Sequence, residues 1–134
     1  ISRSVIVETF LEGDDHRLLV VNGELVAATR RTPGHVVGDG THTIRELVDI
    51  MWMPRLEQHR PELILISAGF DAHREDDMGQ LGLVESDYAW ITGRIKTVAQ
   101  RFAQGRVVSC LEGGYNLSAL ARSVEAHVRV LAEV

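Results

Sequence analysis

The chain has 134 residues, enough for about one domain with a buried core, and 45% of them are hydrophobic, which excludes a disordered polymer. Its formal net charge is −5 with acids and bases interspersed, which argues against a nucleic-acid or anionic-membrane partner. No apolar run approaches bilayer length and no signal-peptide pattern stands out. The single Cys110 has no internal disulfide partner, so a reducing, cytoplasmic setting is expected.

Val5 to Phe10 is rich in β-branched side chains and reads as a strand. Glu12-Gly13-Asp14-Asp15 forms a turn, and Arg17 to Val21 is a second strand. Asn22-Gly23 is the strongest hairpin signal in the chain, because both residues tolerate the positive φ of a two-residue turn. Glu24 to Arg30 returns as a third strand, so an antiparallel meander opens the molecule. Thr32-Pro33-Gly34 and Gly38-Asp39-Gly40 punctuate a loop, and Thr43 to about Ile50 reads as a short helix.

The pattern changes between Asp49 and Met51, the one plausible boundary. Met51 to His59 reads as helix, ended by Arg60-Pro61, since a residue before proline avoids the α region. Leu63 to Ser67 is a continuous apolar run of the kind covered on both faces. Tyr88, Ile91, Ile95, Val98 and Phe102 recur at helical spacing up to Gly105. Arg106 to Leu111 is the next buried strand, which makes Cys110 a small core residue. Asn116 caps a last helix with the stripe Leu117, Leu120, Val124, Val128 and Leu131. Strand, helix, strand, helix predicts a parallel pair with a right-handed crossover. The expected class is α/β: an N-terminal antiparallel β-meander plus short helix over residues 1–50, then a βαβα unit with parallel strands over 51–134. The two parts are expected to merge into one mixed sheet with helices packed on it. Chemistry in such sheets gathers beyond the strand ends, where Asp71 and Tyr115 fall.

Ser67-Ala68-Gly69-Phe70-Asp71-Ala72-His73, the downstream Asp76 and Gly79, and Leu111-Glu112-Gly113-Gly114-Tyr115-Asn116 occur in one order and spacing. From about residue 52 onward the chain resembles the C-terminal part of bacterial histone deacetylase and acetylpolyamine amidohydrolase proteins. The resemblance implies a zinc-dependent amide hydrolase in which Asp71 stands at the last metal ligand and Tyr115 at the oxyanion tyrosine. It also implies an Asp-x-His ligand pair and a His-His dyad, and neither is matched here. Asp71 alone supplies one of the three protein ligands that a catalytic zinc needs. Without that set, Asp71 reads as a turn residue and Tyr115 as a half-buried ring with a wet hydroxyl.

Residues from about 2 to 50, with the run Val5-Ile6-Val7-Glu8 through Asp15-His16-Arg17, resemble the ATP-grasp region of cyanophycin synthetase. The resemblance implies that Glu8 and the backbone to Leu11 correspond to the adenine-contacting stretch and Asp15 to the ribose-side acid. Arg17 and Arg30 would then be candidates for phosphate contacts, for which a planar guanidinium is suited. The phosphate-gripping lysines and magnesium ligands of that family have no counterpart, and Lys96, the only lysine, lies in the other half.

His16, His35, His42, His59 and His127 show no metal-ligand spacing, and His127 falls on the apolar side of the last helix as a satisfied core histidine. Arg74-Glu75-Asp76-Asp77 reads as a solvated charge run. The expected protein is a folded chimera of two enzyme fragments, catalytically inactive as an isolated chain and assembled as a homo-oligomer. It is expected to hold neither zinc nor Mg-ATP. Two alternatives remain open: a zinc-dependent deacetylase with its other ligands rebuilt, and a weak ATP-binding module.

Overall fold

The computed structural model describes residue 9 and residues 12–30, 35–79 and 81–134. They divide into two compact units, one up to Val37 and one from Gly38 to Val134. No helix among the described residues is long and apolar enough to cross a membrane.

In the first unit, β1 (His16–Val21) pairs antiparallel with β2 (Glu24–Arg30). Asn22 at φ 52° and Gly23 at φ 82° make the two-residue turn, with the positive φ that the sequence implied. The register slips between Leu19 and Val20: Val20 faces Leu25, but Leu19 faces Ala27. Val26 is therefore the extra residue of a bulge, which will matter for the arginines. The first strand expected, Val5 to Phe10, lies outside the described residues apart from Thr9.

The second unit starts with α1 (Ile44–Met51), whose capping box is explicit. The Thr43 amide donates to Glu46 Oε2 at 2.7 Å, and the Glu46 amide donates to Thr43 Oγ1. Leu47 and Val48 are its buried residues, so the segment before Met51 already belongs to this unit's packing. Helix α2 (Met53–His59) has Pro54 in its first turn and ends at Arg60, which adopts a left-handed φ of 49° ahead of Pro61.

Next come β3 (Ile64–Ala68), α3 (Glu85–Phe102), β4 (Val107–Leu111) and α4 (Leu117–Ala132). The strands pair in parallel, Ile64 against Val107 through Ala68 against Leu111, as the alternation of elements predicted. Helix α3 stops at Phe102 because Gln104 and Gly105 turn left-handed, at φ 51° and 74°. Asn116 Oδ1 accepts the Ala119 amide at 3.0 Å and starts α4. At the far end, Lys96 Nζ donates to the Val130 and Leu131 carbonyls at 2.7 and 3.2 Å, giving the only lysine a structural role.

The core is Ala68, Phe70 and Tyr88, with Ile66, Ala72, Leu120 and Val124 packed against it. Tyr88 Oη donates to the Phe70 carbonyl at 3.0 Å, and burial pushes its phenol up to about 12. His127 fills the space beneath, 5.7 Å edge-on from Phe70. Its two ring nitrogens meet Thr92 Oγ1 at 2.7 Å and Ser109 Oγ at 2.9 Å, so it is the satisfied core histidine that the helical stripe implied.

Two expectations fail. The described strands form two separate sheets, β1–β2 and β3–β4, rather than one mixed sheet. Each ladder closes locally, one through a two-residue turn and one through a crossover helix, and no hydrogen-bond ladder joins them. Cys110 is exposed rather than buried. It lies with Leu65, Ser67 and Val108 on the sheet face away from His127, and no described element covers that face.

Candidate functional site

The sequence of each segment dictates how the two strand ends are built. After β3 the chain turns through Gly69 and Phe70, and the Phe70 amide donates to the Gly113 carbonyl at 2.8 Å. After β4 the Glu112 amide donates to the Ala68 carbonyl at 2.9 Å. These bonds stitch the loop carrying Asp71 to the loop carrying Tyr115.

Asp71 sits among glycines for a steric reason. A Cβ on Gly113 would meet Asp71 Oδ2 at 2.8 Å, and one on Gly69 would meet Oδ1 at 3.1 Å. A Cβ on Gly79 would collide with the Asp71 main-chain carbonyl. The Gly-Gly pair before Tyr115 thus admits a carboxylate against the backbone of the next loop. Gly114, at φ 137°, makes the turn that presents Tyr115, in a conformation closed to other residues. Tyr115 itself is 61% exposed.

The loop between these residues is held from inside. His73 is fully buried, its Nδ1 accepting the Glu75 amide at 3.1 Å, which leaves the proton on Nε2. That Nε2 lies 3.5 Å from Glu85 Oε1, an ion-pair distance too long for a good hydrogen bond. Arg122 hydrogen-bonds Glu85 and holds its carboxyl down at about 2; the same guanidinium reaches both Glu75 oxygens at 2.9 Å. The strand-like bridge from His73 to Leu83 completes the loop.

Asp76 is where reading the charge run as solvated fails. It is 4% exposed, and its Oδ2 accepts the Tyr115 and Asn116 amides at 2.6 and 2.9 Å. Oδ1 accepts the Met78 amide at 3.0 Å, and these backbone donors hold the carboxyl below its usual range. The partners lie 39 and 40 residues away in sequence, so no local pattern announces them.

Asp71 and Tyr115 therefore come together at adjacent strand ends, whereas only part of the front-half set lies among the described residues. Glu8 and Leu11 lie outside the described residues. Asp15 precedes β1. Arg17 faces Thr29 and Arg30 faces His16 across the ladder, so the two arginines project from opposite faces of the hairpin. Arg30 pairs with Asp14 at 3.3 Å. His42 contacts Asp39 at 2.6 Å in an exposed turn, which raises the imidazole's pKa and lowers the carboxyl's.

A cavity of about 440 Å³ opens elsewhere, between α2, β3 and α3, with an apolar lining that includes Leu56, Leu65 and Ile95. It offers a surface rather than chemistry.

A carboxylate and a tyrosine at the ends of parallel strands, set against glycines, define an α/β protein with a strand-end site. The histone deacetylase domain model matches residues 21–131. The chain belongs to that family. It is 51% identical over 79 residues to type-2 histone deacetylase 1 of Dictyostelium discoideum, covering 59% of this chain and 5% of that one. The structure of the histone deacetylase Clr3 superposes with a TM-score of 0.60 at 32% identity, over 67% of this chain and 14% of the other. A further similarity, 63% identity over 49 residues, is to cyanophycin synthetase of Crocosphaera subtropica, covering 37% of this chain and 6% of that one. The chain thus spans only a small part of each relative.

Zinc, which the family implies, needs three protein ligands. Among the described residues no group of three or more His, Cys, Asp or Glu could hold a metal ion. Asp71 does not fit the ion unaided, and no catalytic step is assigned through it.

Proposed function

We propose that the chain joins an ATP-grasp-like segment to a deacetylase-like βαβα unit, and that the isolated chain folds without hydrolysing acetylated amines. The observation behind this reading is the glycine-lined Asp71 beside Tyr115, a deacetylase-type strand end with one candidate ligand. The experiment is elemental analysis of purified chain dialysed with and without added zinc, alongside acetyl-lysine turnover. The reading expects substoichiometric zinc, unchanged in Asp71→Ala, and no turnover above background. About one zinc per chain lost in Asp71→Ala, with turnover, would replace it.

A second reading, deacetylation with ligands supplied from outside residues 38–134, is favoured by the family membership. It predicts turnover only after a polypeptide carrying the missing donors is added, again abolished in Asp71→Ala.

The chain also self-associates in this proposal. Leu65 and Val108, cross-strand neighbours 71% and 48% exposed, support this, because parallel sheets are normally covered on both faces. Light scattering that reports a monomer at every concentration would remove it.

A further inference from the structure

We propose that Asp76 is a positioning residue for Tyr115: its buried carboxylate sets the direction in which the tyrosine leaves the main chain. The inference deepens the reading of Tyr115 as part of the strand-end site.

Little outside its own main chain holds the tyrosine. The ring is 61% exposed, and its hydroxyl has no hydrogen-bond partner among the described residues. The preceding Gly114 lacks the Cβ that would restrict its backbone. A side chain in such a setting takes its aim from its own main chain. That main chain is tied at two consecutive amides, Tyr115 and Asn116, to one oxygen of Asp76.

Asp76 can do this because it is itself immobilised. Its other oxygen accepts the Met78 amide, its own amide donates to the His73 carbonyl at 2.9 Å, and it is 4% exposed. The next residue over adds a parallel tie, as Asn116 Nδ2 donates to the Glu75 carbonyl at 2.9 Å. Asp76 therefore transmits the placement of the loop after β3, which carries Asp71, to the loop after β4, which carries Tyr115. The two groups keep a fixed relation although neither side chain touches the other's loop through a polar bond. An amide cannot replace the carboxylate here. Asparagine offers one acceptor oxygen, so either Met78 or the Tyr115–Asn116 pair loses its partner.

The test uses the full chain labelled with 3-fluorotyrosine. The protein has two tyrosines, so two ¹⁹F signals are expected, and Tyr88→Phe assigns them. Tyr88 is 6% exposed and bonded within the core, so its signal reports the fold. In Asp76→Asn the Tyr88 signal should hold while the Tyr115 signal moves to the free-tyrosine position and sharpens. Amide exchange at Tyr115 and Asn116 should accelerate about tenfold or more, the scale of losing a charge-assisted hydrogen bond. An unmoved Tyr115 signal with unchanged exchange would overturn the proposal. If Asp76→Asn shifts Tyr88 as well, the fold has been lost and the wild-type chain decides. Protection of Tyr115 and Asn116 beyond that of Gly114 then supports the clamp, and free-peptide exchange at both removes it. None of these readouts involves turnover, so the absence of turnover even with the missing donors added would remove the deacetylase reading and leave this result standing.

Discussion

The β1–β2 hairpin and the β3–α3–β4–α4 unit are both made of locally consistent sequence, yet they are held by different forces. Every residue from His16 to Arg30 is exposed, including Leu18, Leu19, Val20 and Val26. The hairpin's order therefore rests on its ladder and its two-residue turn, a combination that is marginal in water. The βαβα unit instead buries Phe70, Tyr88, Val98, Ala99 and Ala119 to 6% exposure or less. Polar groups finish its core: Thr92 Oγ1 donates to the Tyr88 carbonyl at 2.6 Å and so accepts from His127 Nδ1, leaving Nε2 to accept from Ser109. The lesson is that pattern alone yields a hairpin, whereas a strand-end site requires a core to hold its loops.

Mutations should separate the two regions. Phe70→Ala empties the centre of the buried cluster and should cost about 3–5 kcal/mol, enough to abolish the cooperative thermal transition. Leu19→Ala removes a side chain that is 55% exposed and should stay within about 0.5 kcal/mol. Circular dichroism melts of the two variants check the contrast, and equal losses would mean that the hairpin is part of the stabilising core. Next in size is Gly114→Ala. Its Cβ would meet Leu120 Cδ1 at 2.7 Å and Phe70 Cβ at 3.3 Å, at a φ of 137°. A cost of about 1–3 kcal/mol is expected from that backbone strain, read from the same melts.

The secondary structure of the second unit was legible because its signals are local: the Tyr88–Phe102 stripe, Gly105, and Asn116 as cap. What was illegible depends on distant partners or on faces. Four consecutive charges read as solvated, and only amides some forty residues away make Asp76 a buried tie. Cys110 follows a buried-strand pattern, yet its face has no described cover. The facing of Arg17 and Arg30 turns on one residue. With Val21 opposite Glu24, an unbroken ladder would set Arg17 opposite Ala28 and put Arg30 on the same face. The bulge at Val26 shifts the partner to Thr29 and turns Arg30 away. At the site, Asp71 and Tyr115 were legible from the resemblance, because their motifs end adjacent strands.

Acid should find the βαβα unit through His127. Burial lowers its pKa from the usual 6.5, so as pH falls the unfolded chain takes up the proton first. Stability contributed by the neutral ring is complete above about 6.5 and is lost as pH drops through the folded value. His42 acts in the opposite sense, since Asp39 raises its pKa, but that pair is exposed and screened. The depressed carboxyls of Asp76 and Glu85 lose their contribution only at lower pH, below their usual values. Melting temperature should therefore fall as pH drops below about 6.5 in the wild type, and more shallowly in His127→Gln. Identical slopes would assign the acid sensitivity to other groups.

The effect confined to the fewest residues tests the hairpin on its own terms. Gly23 occupies φ 82° in open space, with no atom within 4 Å of an added Cβ. Gly23→Ala thus creates no clash and reports only the cost of a left-handed backbone in an L residue, about 1–2 kcal/mol. Because every hairpin bond that depends on this turn lies between β1 and β2, the loss should appear as faster amide exchange from His16 to Arg30. The melting temperature of the βαβα unit should not move. A drop in that temperature would show that the turn supports more than its own ladder, and the separation into a pattern-held and a core-held region would have to be given up.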